Sequence, residues 1–103
     1  MIVRIWKARA TPERAQDYRE HLQSHVFPVM RGVPGFVSAN LWERRDGEEI
    51  EFIVATHWKT LDAVRGFAGD AYELAVVAPG ARAVLASFEE QVVHYEVTAG
   101  CEP

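Results

Sequence analysis

The spacing of apolar and charged positions divides the first half of the chain into a strand, a helix and a β-hairpin. Residues 2–8 are β-branched or aromatic with charges between them, which predicts a strand. Thr11, Pro12 and Glu13 are residue types that begin a helix, and apolar residues three or four apart extend it to about residue 31. We expect a kink or a new helical turn at Pro28, which has no backbone N–H. A Val-Pro-Gly turn follows, and two alternating segments, 36–44 and 50–58, around an Asp-Gly pair predict a hairpin.

The second half of the chain predicts shorter helices and one last strand. Thr60 is placed to cap a short helix. Helical patterns follow over 70–77 and 81–89, separated by a Pro-Gly pair, and the pattern of residues 91–97 is typical of a strand. The predicted order is β-α-β-β-α-β, which is that of a ferredoxin-like α+β fold with a four-stranded antiparallel sheet.

The two faces of this predicted sheet suggest how the chain assembles. At 103 residues the chain has the size of one domain, which we expect over 1–97 with a flexible tail over 98–103. Helices cover one face of such a sheet, yet both faces contain apolar residues. A second copy packed on the helix-free face would bury the apolar residues that the helices leave exposed, so the sequence predicts a homodimer. Polar groups are expected at that interface from His57, Arg4, Glu51 and His94.

Composition and charge narrow the possible partners. The net charge is −4 and no cluster of lysine and arginine occurs, which disfavours nucleic acid. The chain has no apolar run long enough to span a bilayer, and its N-terminus lacks the features of a signal peptide. We therefore expect a cytoplasmic protein without a membrane partner. The single cysteine, Cys101, lies in the predicted tail and has no second cysteine with which to pair.

Five stretches spread over nearly the whole chain form a characteristic set. They are VRIW, VPGF, RRDGEEIEFIVATHWKTLDA, FAGDAYELAVVAPGARAVL and VVHYEV. Together, over roughly residues 2–97, they resemble the antibiotic biosynthesis monooxygenase domain, a family of small dimeric α+β-barrel proteins. The resemblance implies that fold. It names no single reaction, because the superfamily includes cofactor-free oxygenases of anthrone-type phenols, quinol oxygenases and haem-degrading enzymes.

The resemblance also suggests individual site residues. The family tends to have a tryptophan at the end of the third strand, which is Trp58 here. The haem-degrading branch has a histidine in the helical segment after that strand and an asparagine in strand one, and this chain has neither. The anthrone-oxidising branch has an asparagine shortly before the tryptophan, where this chain has residues 54–57 (Val-Ala-Thr-His). That branch also uses a tyrosine and an arginine, for which Tyr72 and Arg82 are the candidates.

One histidine of the first helix is the best candidate for a general base. His25 shares a helix face with Tyr18, Leu22 and Val29, and a free imidazole titrates near neutral pH. The same inward position also suits a purely structural histidine. His21 is expected on the solvated flank of the helix. No cysteine or carboxylate is placed to complete a metal site with the two histidines, so we expect none.

The resemblance, taken with these residues, implies a cofactor-free monooxygenase acting on a small electron-rich aromatic such as a phenol, quinol or anthrone. His25 would remove a proton, and the resulting anion would react with dioxygen itself. No cofactor is expected, because the chain has no nucleotide-binding or phosphate-binding motif. The chemistry is assigned to His25 and Trp58, and substrate contacts to Tyr18, Leu22, Phe67, Tyr72 and Arg82. The alternatives are a non-catalytic dimer that binds a small ligand or only assembles, and haem binding without degradation.

Overall fold

An antiparallel sheet with helices against one face forms the structure, a computed structural model that describes residues 1–103. The strands are β1 (Ile2–Ala10), β2 (Phe36–Asp46), β3 (Glu49–Trp58), β4 (Ser87–Phe88) and β5 (Val93–Glu96). The helices are α1 (Pro12–His21), α2 (Phe27–Arg31), α3 (Leu61–Ala68) and α4 (Pro79–Val84), with a π-helical turn, Leu22–Val26, between α1 and α2. None of these helices has the length and the apolar character that a membrane span requires.

The sheet has the order β2-β3-β1-β4, and β5 pairs with β1 as well. β1 pairs along its whole length with β3, from Ile2 opposite Trp58 to Ala10 opposite Ile50. The other edge of β1 is shared, since β5 pairs with its first half and β4 with its second half. The predicted α+β class and antiparallel sheet are confirmed. The sheet has five strands rather than four because the last predicted strand is preceded by the short β4.

The first helix is continuous from α1 to α2, as predicted, and changes its hydrogen bonding before Pro28. The N–H of Phe27 donates to the carbonyl oxygen of Leu22, five residues earlier, instead of four. Pro28 cannot donate to the oxygen of Ser24, so the regular pattern is interrupted and α2 restarts with proline in its first turn. Such π turns are frequent at functional sites.

Two helical predictions in the second half are wrong. Residues 70–77 form no helix. The N–H of Ala75 donates to the backbone carbonyl oxygen of Glu90 at 2.8 Å, and the N–H of Val92 donates to that of Glu73 at 2.9 Å. Of the segment 81–89, only the part up to Val84 is helical. After it, the N–H of Ala86 donates to the carbonyl oxygen of Arg9 in β1 at 2.8 Å. Pairing with distant parts of the chain outweighs the local helix propensity in both segments.

The helix-covered face of the sheet contains the core. Along β3 this face presents Phe52, Val54, Thr56 and Trp58, all buried. On β1 the same face contains Arg4, Trp6, Ala8 and Ala10.

The helix-free face carries His57 and Glu51, as expected from the alternation along β3. It does not carry Arg4 or His94, so that part of the predicted interface is wrong. Arg4 lies opposite Thr56 and is only 5% exposed. His94 pairs with Arg4 across β1 and β5, and the two side chains are in contact on the helix side.

Gly35 allows the predicted turn before β2 to lie directly against α3. Its φ is +88°, and a Cβ there would lie 2.6 Å from the Cβ of Ala63. We expect Gly35→Ala to lower the free energy of unfolding by about 2–4 kcal/mol, because the left-handed backbone and the overlap both cost energy. Gly47→Ala is the matched control: its φ is +63° and nothing lies within 4 Å, so a loss of only about 1 kcal/mol is expected. Equal losses in urea titrations of the two variants would contradict the role of the Ala63 contact.

Candidate functional site

A cavity of about 210 Å³ lies between the helix-covered face of the sheet and the first helix. The segment 76–81 and Phe67 complete its walls. Most of its lining residues are hydrophobic, and the few polar groups come from the first helix, β1 and β3. This composition is typical of small-molecule sites. An apolar protein cavity of about 150 Å³ can hold a benzene molecule, so this one suits a ligand of one or two rings.

Four of the seven predicted site residues line this cavity. They are Tyr18, Leu22, His25 and Phe67. Tyr18 is almost fully buried, its ring lies 5.1 Å from that of Phe52, and its hydroxyl makes no hydrogen bond within the protein. Burial raises the pKa of Tyr18, so the phenol stays neutral and is free to donate to a ligand.

Trp58 lies behind the cavity wall and not in it. The side chain is fully buried, and its Nε1–H donates to the hydroxyl oxygen of Thr56 at 2.8 Å. Its ring packs between Phe36, edge-on at 5.2 Å, and Phe67, stacked at 5.6 Å. Both Thr56 and Phe67 line the cavity, so Trp58 supports two of its wall residues from behind.

Tyr72 and Arg82 also lie outside the cavity lining. The ring of Tyr72 packs between the guanidinium of Arg65 at 5.0 Å and the ring of His94 at 5.5 Å. Arg82 is exposed on α4, and its guanidinium lies 5.0 Å from the ring of Phe88. In this geometry neither residue reaches a ligand held in the cavity.

The two histidines of the first helix both line the cavity, with ring centroids 5.6 Å apart. His25 is exposed at the mouth, whereas the Nε2 of His21 is buried without a hydrogen-bond partner. Burial lowers the pKa of His21, and the neighbouring His25 lowers it further, so His21 is neutral at pH 7. The prediction that His21 is solvated is wrong because α4 covers that flank: a Cβ on Gly80 would lie 3.2 Å from the His21 Nδ1.

Arg4 is the cavity residue whose role the sequence analysis missed. Its Nη1 donates to the carbonyl oxygen of Tyr72 and, at 3.0 Å, to the Nε2 of His94, and its Nη2 donates to the carbonyl oxygen of Leu74 at 3.1 Å. It forms no salt bridge with a carboxylate. Burial lowers the pKa of Arg4 to about 10, so the guanidinium remains charged at neutral pH. The signal was present in β1, where Arg4 alternates in phase with the buried Trp6.

The two histidines with lowered pKa values give an expected pH dependence of stability. In His94 the lowering comes from burial first and from the positive charge of Arg4 second. On unfolding, both His21 and His94 return towards a pKa of 6.5, so the unfolded chain binds more protons just below that pH. Acidification from about pH 7 to about pH 5 should therefore lower the midpoint of thermal unfolding.

Two variants test this assignment. His94→Gln and His21→Gln should each flatten the pH profile of the thermal midpoint relative to the unmodified protein. The carboxylate of Glu43 does not interfere, because its hydrogen bond to Arg19 holds the pKa below 4.5 and its effect appears only at lower pH. A midpoint that is constant across this pH range in the unmodified protein would contradict the prediction.

Several solved structures share this fold over nearly the whole length of the chain. A Deinococcus radiodurans protein described by name as an antibiotic biosynthesis monooxygenase is 18% identical, with a TM-score of 0.69 and coverage of 100% of this chain and 98% of that one. The ActVA-Orf6 monooxygenase of Streptomyces coelicolor, solved with nanaomycin D, is 17% identical, with a TM-score of 0.66 and coverage of 99% and 91%. The heme-degrader MhuD of Mycobacterium tuberculosis, solved with two hemes, is 24% identical, with a TM-score of 0.62 and coverage of 99% and 100%.

At these identities the three structures establish the fold and not the reaction. No curated protein sequence matches the chain. The family model described as "Antibiotic biosynthesis monooxygenase" matches residues 1–79, which include β1 to β3, the first helix and most of the cavity. The chain therefore belongs to the antibiotic biosynthesis monooxygenase family.

Proposed function

We propose that this protein is a cofactor-independent monooxygenase that oxidises a small phenolic aromatic of one or two rings with dioxygen. The observation that carries the proposal is the apolar cavity of about 210 Å³ with the exposed imidazole of His25 at its mouth. Membership of a monooxygenase-type family supports the reaction class. The similar Streptomyces structure holds a small molecule, nanaomycin D, which supports a small-molecule substrate.

His25 is the general base in this mechanism. Its imidazole takes the phenolic proton and leaves a phenolate in the cavity. The phenolate gives one electron to dioxygen, and the resulting aryloxyl radical and superoxide combine at a ring carbon to form a peroxide. Loss of water from the peroxide gives a quinone, so one phenol and one dioxygen yield one quinone and one water. The phenolate itself reduces dioxygen, which is why the reaction proceeds without a further reductant.

The walls of the cavity hold the ring and exclude water. Trp6, Leu22 and Phe67 provide apolar and aromatic surface for a flat ring. The half-buried, neutral His21 stacks on Tyr18, with ring centroids 6.4 Å apart, and extends this surface next to His25. A dry cavity keeps the radical pair together, so that it combines before superoxide escapes.

Oxygen uptake by chelator-treated protein tests this proposal. The substrate is 1-naphthol, and the control is 1-methoxynaphthalene, which has the same two rings but no phenolic proton. We expect uptake with naphthol, one quinone formed per dioxygen consumed, and no uptake with the ether. Quinols and anthrones complete the panel, because three-ring anthrones should react more slowly in a cavity of this size.

Uptake no faster than in buffer across the panel would overturn the monooxygenase proposal. Binding of the same compounds without turnover would then favour the non-catalytic small-ligand dimer. A Soret band on adding haemin, again without oxygen uptake by the phenols, would favour haem binding instead.

We also propose that the working unit is a homodimer formed through the helix-free face. Trp42, Tyr95 and Val93 are about half exposed there, at 51%, 58% and 48%. Ile5 lies opposite Val93, and Ile53 lies opposite Trp42, so this face of the sheet presents apolar side chains on several neighbouring strands, as interfaces do. Arg9 and Arg44 bind Glu51 beside the patch, so the surface offers charges of both signs to a second copy related by a two-fold axis.

Sedimentation at micromolar concentration tests the dimer. We expect twice the chain mass for the unmodified protein and a monomer for Tyr95→Arg. Val29→Arg is the matched control, because Val29 is equally exposed, at 60%, but lies on the first helix, on the other side of the sheet. A monomer already in the unmodified protein would contradict the proposal.

A further inference from the structure

We infer that the cavity is an anion-binding site, in which Arg4 selects aromatic ligands that carry a negative charge. The inference rests on the proposed function in that it places the substrate in this cavity, and it concerns binding rather than turnover. It assigns the ligand class: phenolates and aromatic carboxylates in preference to neutral aromatics of the same shape.

The hydrogen bonds of Arg4 leave part of its guanidinium without a partner. A guanidinium has five N–H groups. Arg4 makes three contacts, through Nη1 with Tyr72 and His94 and through Nη2 with Leu74. At least two N–H groups, the Nε–H among them, therefore have no acceptor in the protein. Arg4 lines the cavity, so these groups are available to a ligand.

The charge of Arg4 is not neutralised by the protein. All three of its acceptors are neutral: two backbone carbonyl oxygens and the imidazole of His94, which accepts through Nε2 and is therefore uncharged. The cavity is lined by no aspartate or glutamate. Buried charges in proteins are usually paired, because an unpaired one is costly. A ligand anion in the cavity would provide the missing partner.

Arg4 also has a structural role that must be separated from this one. Its bonds to Tyr72 and Leu74 fix the segment 72–74 to the central strand. That role uses Nη1 and one N–H of Nη2, whereas ligand binding would use the remaining donors. Loss of the structural role would lower the affinity for all ligands alike. Loss of the anion site would weaken only the charged ones.

A matched pair of ligands separates the two roles. 2-Naphthoate and 2-naphthamide have nearly the same shape and differ in charge. In the unmodified protein we expect calorimetry to show that naphthoate binds about 10- to 100-fold more tightly, as for a hydrogen bond to a charged group in a buried site. In Arg4→Met this ratio should fall to about one, and any loss of affinity that follows from the lost structural role should be the same for both ligands. Equal affinities in the unmodified protein, or a ratio that survives in Arg4→Met, would overturn the inference.

A second measurement needs no variant and applies even if Arg4→Met fails to fold. 4-Nitrophenol changes its visible absorbance when it ionises, so its protonation can be followed while it is bound. A nearby guanidinium should stabilise the phenolate, so we expect the apparent pKa of bound nitrophenol to lie below that of the free compound. An unchanged or raised pKa would overturn the inference. His21 and His25 also line the cavity, and repeating the titration with His25→Gln shows whether the shift depends on the base at the mouth.

Both measurements are made under nitrogen, so they do not depend on the reaction. Selective anion binding without oxygen uptake would support Arg4 as the anion-binding group and overturn only the proposed monooxygenase function. Oxygen uptake without any preference for anions would support the monooxygenase function and overturn the anion-binding inference.

Discussion

Trp58→Ala is expected to lower the free energy of unfolding by about 3–5 kcal/mol. The side chain is fully buried and contacts the rings of both Phe36 and Phe67. Removing the indole leaves a cavity between β3 and α3 that the two phenylalanines cannot fill without moving. Urea titration followed by circular dichroism measures the loss.

Thr56→Val is the matched control for this expectation. It keeps the shape of the side chain and removes only the oxygen that accepts from the Trp58 Nε1–H at 2.8 Å. Leaving that buried donor unpaired should cost about 1–3 kcal/mol, less than the loss of the whole indole. The comparison also tests the chemical role predicted for Trp58. A Trp58→Ala variant with unchanged stability but no oxidation of naphthol would contradict the supporting role and place the tryptophan in the reaction.

The parts of the fold that could be predicted are those whose pattern is local. β1, the hairpin and the first helix follow from alternation, the Asp-Gly turn and helical spacing within short windows. The cap of α3 follows in the same way, since the hydroxyl oxygen of Thr60 accepts from the N–H of Ala63 at 3.1 Å. Pro28 marks the restart of the first helix, although the π-helical turn before it has no sequence pattern of its own.

The remaining segments depend on partners that are distant in sequence. Residues 70–77 have a helical pattern but bond to residues 90 and 92 and to the side chain of Arg4. Ser87 and Phe88 are a strand only because the second half of β1 has a free edge there. No local propensity encodes such pairings.

The candidate site could likewise be predicted only where its residues belong to one local pattern. Tyr18, Leu22 and His25 were found because helical spacing assigns them to one face. His21 was misplaced because the helix that covers it, α4, is distant in sequence. The sequence analysis places Arg4 at the dimer interface because charged residues in a strand rarely point into the core, and only its burial in the structure reveals an inward guanidinium.

His25→Gln is expected to lower the rate of naphthol-dependent oxygen uptake by about 10²- to 10⁴-fold, the usual loss when a general base is removed. Glutamine keeps a polar side chain at the exposed cavity mouth, so folding and the binding of 2-naphthamide should change little. The rate measured with excess naphthol therefore isolates the proton transfer, and an unchanged Kd for the amide excludes a collapsed cavity.

His21→Gln is the control, because the two histidines lie one turn apart and line the same cavity. The His21 Nε2 is buried, so His21 is not placed to take a proton from a ligand, and a loss of less than about tenfold is expected. A larger loss in His21→Gln than in His25→Gln would assign the base to the buried imidazole. Equal rates in both variants and in the unmodified protein would show that neither histidine is the base, and ionisation of the phenol would then have to be driven by the charge of Arg4 alone.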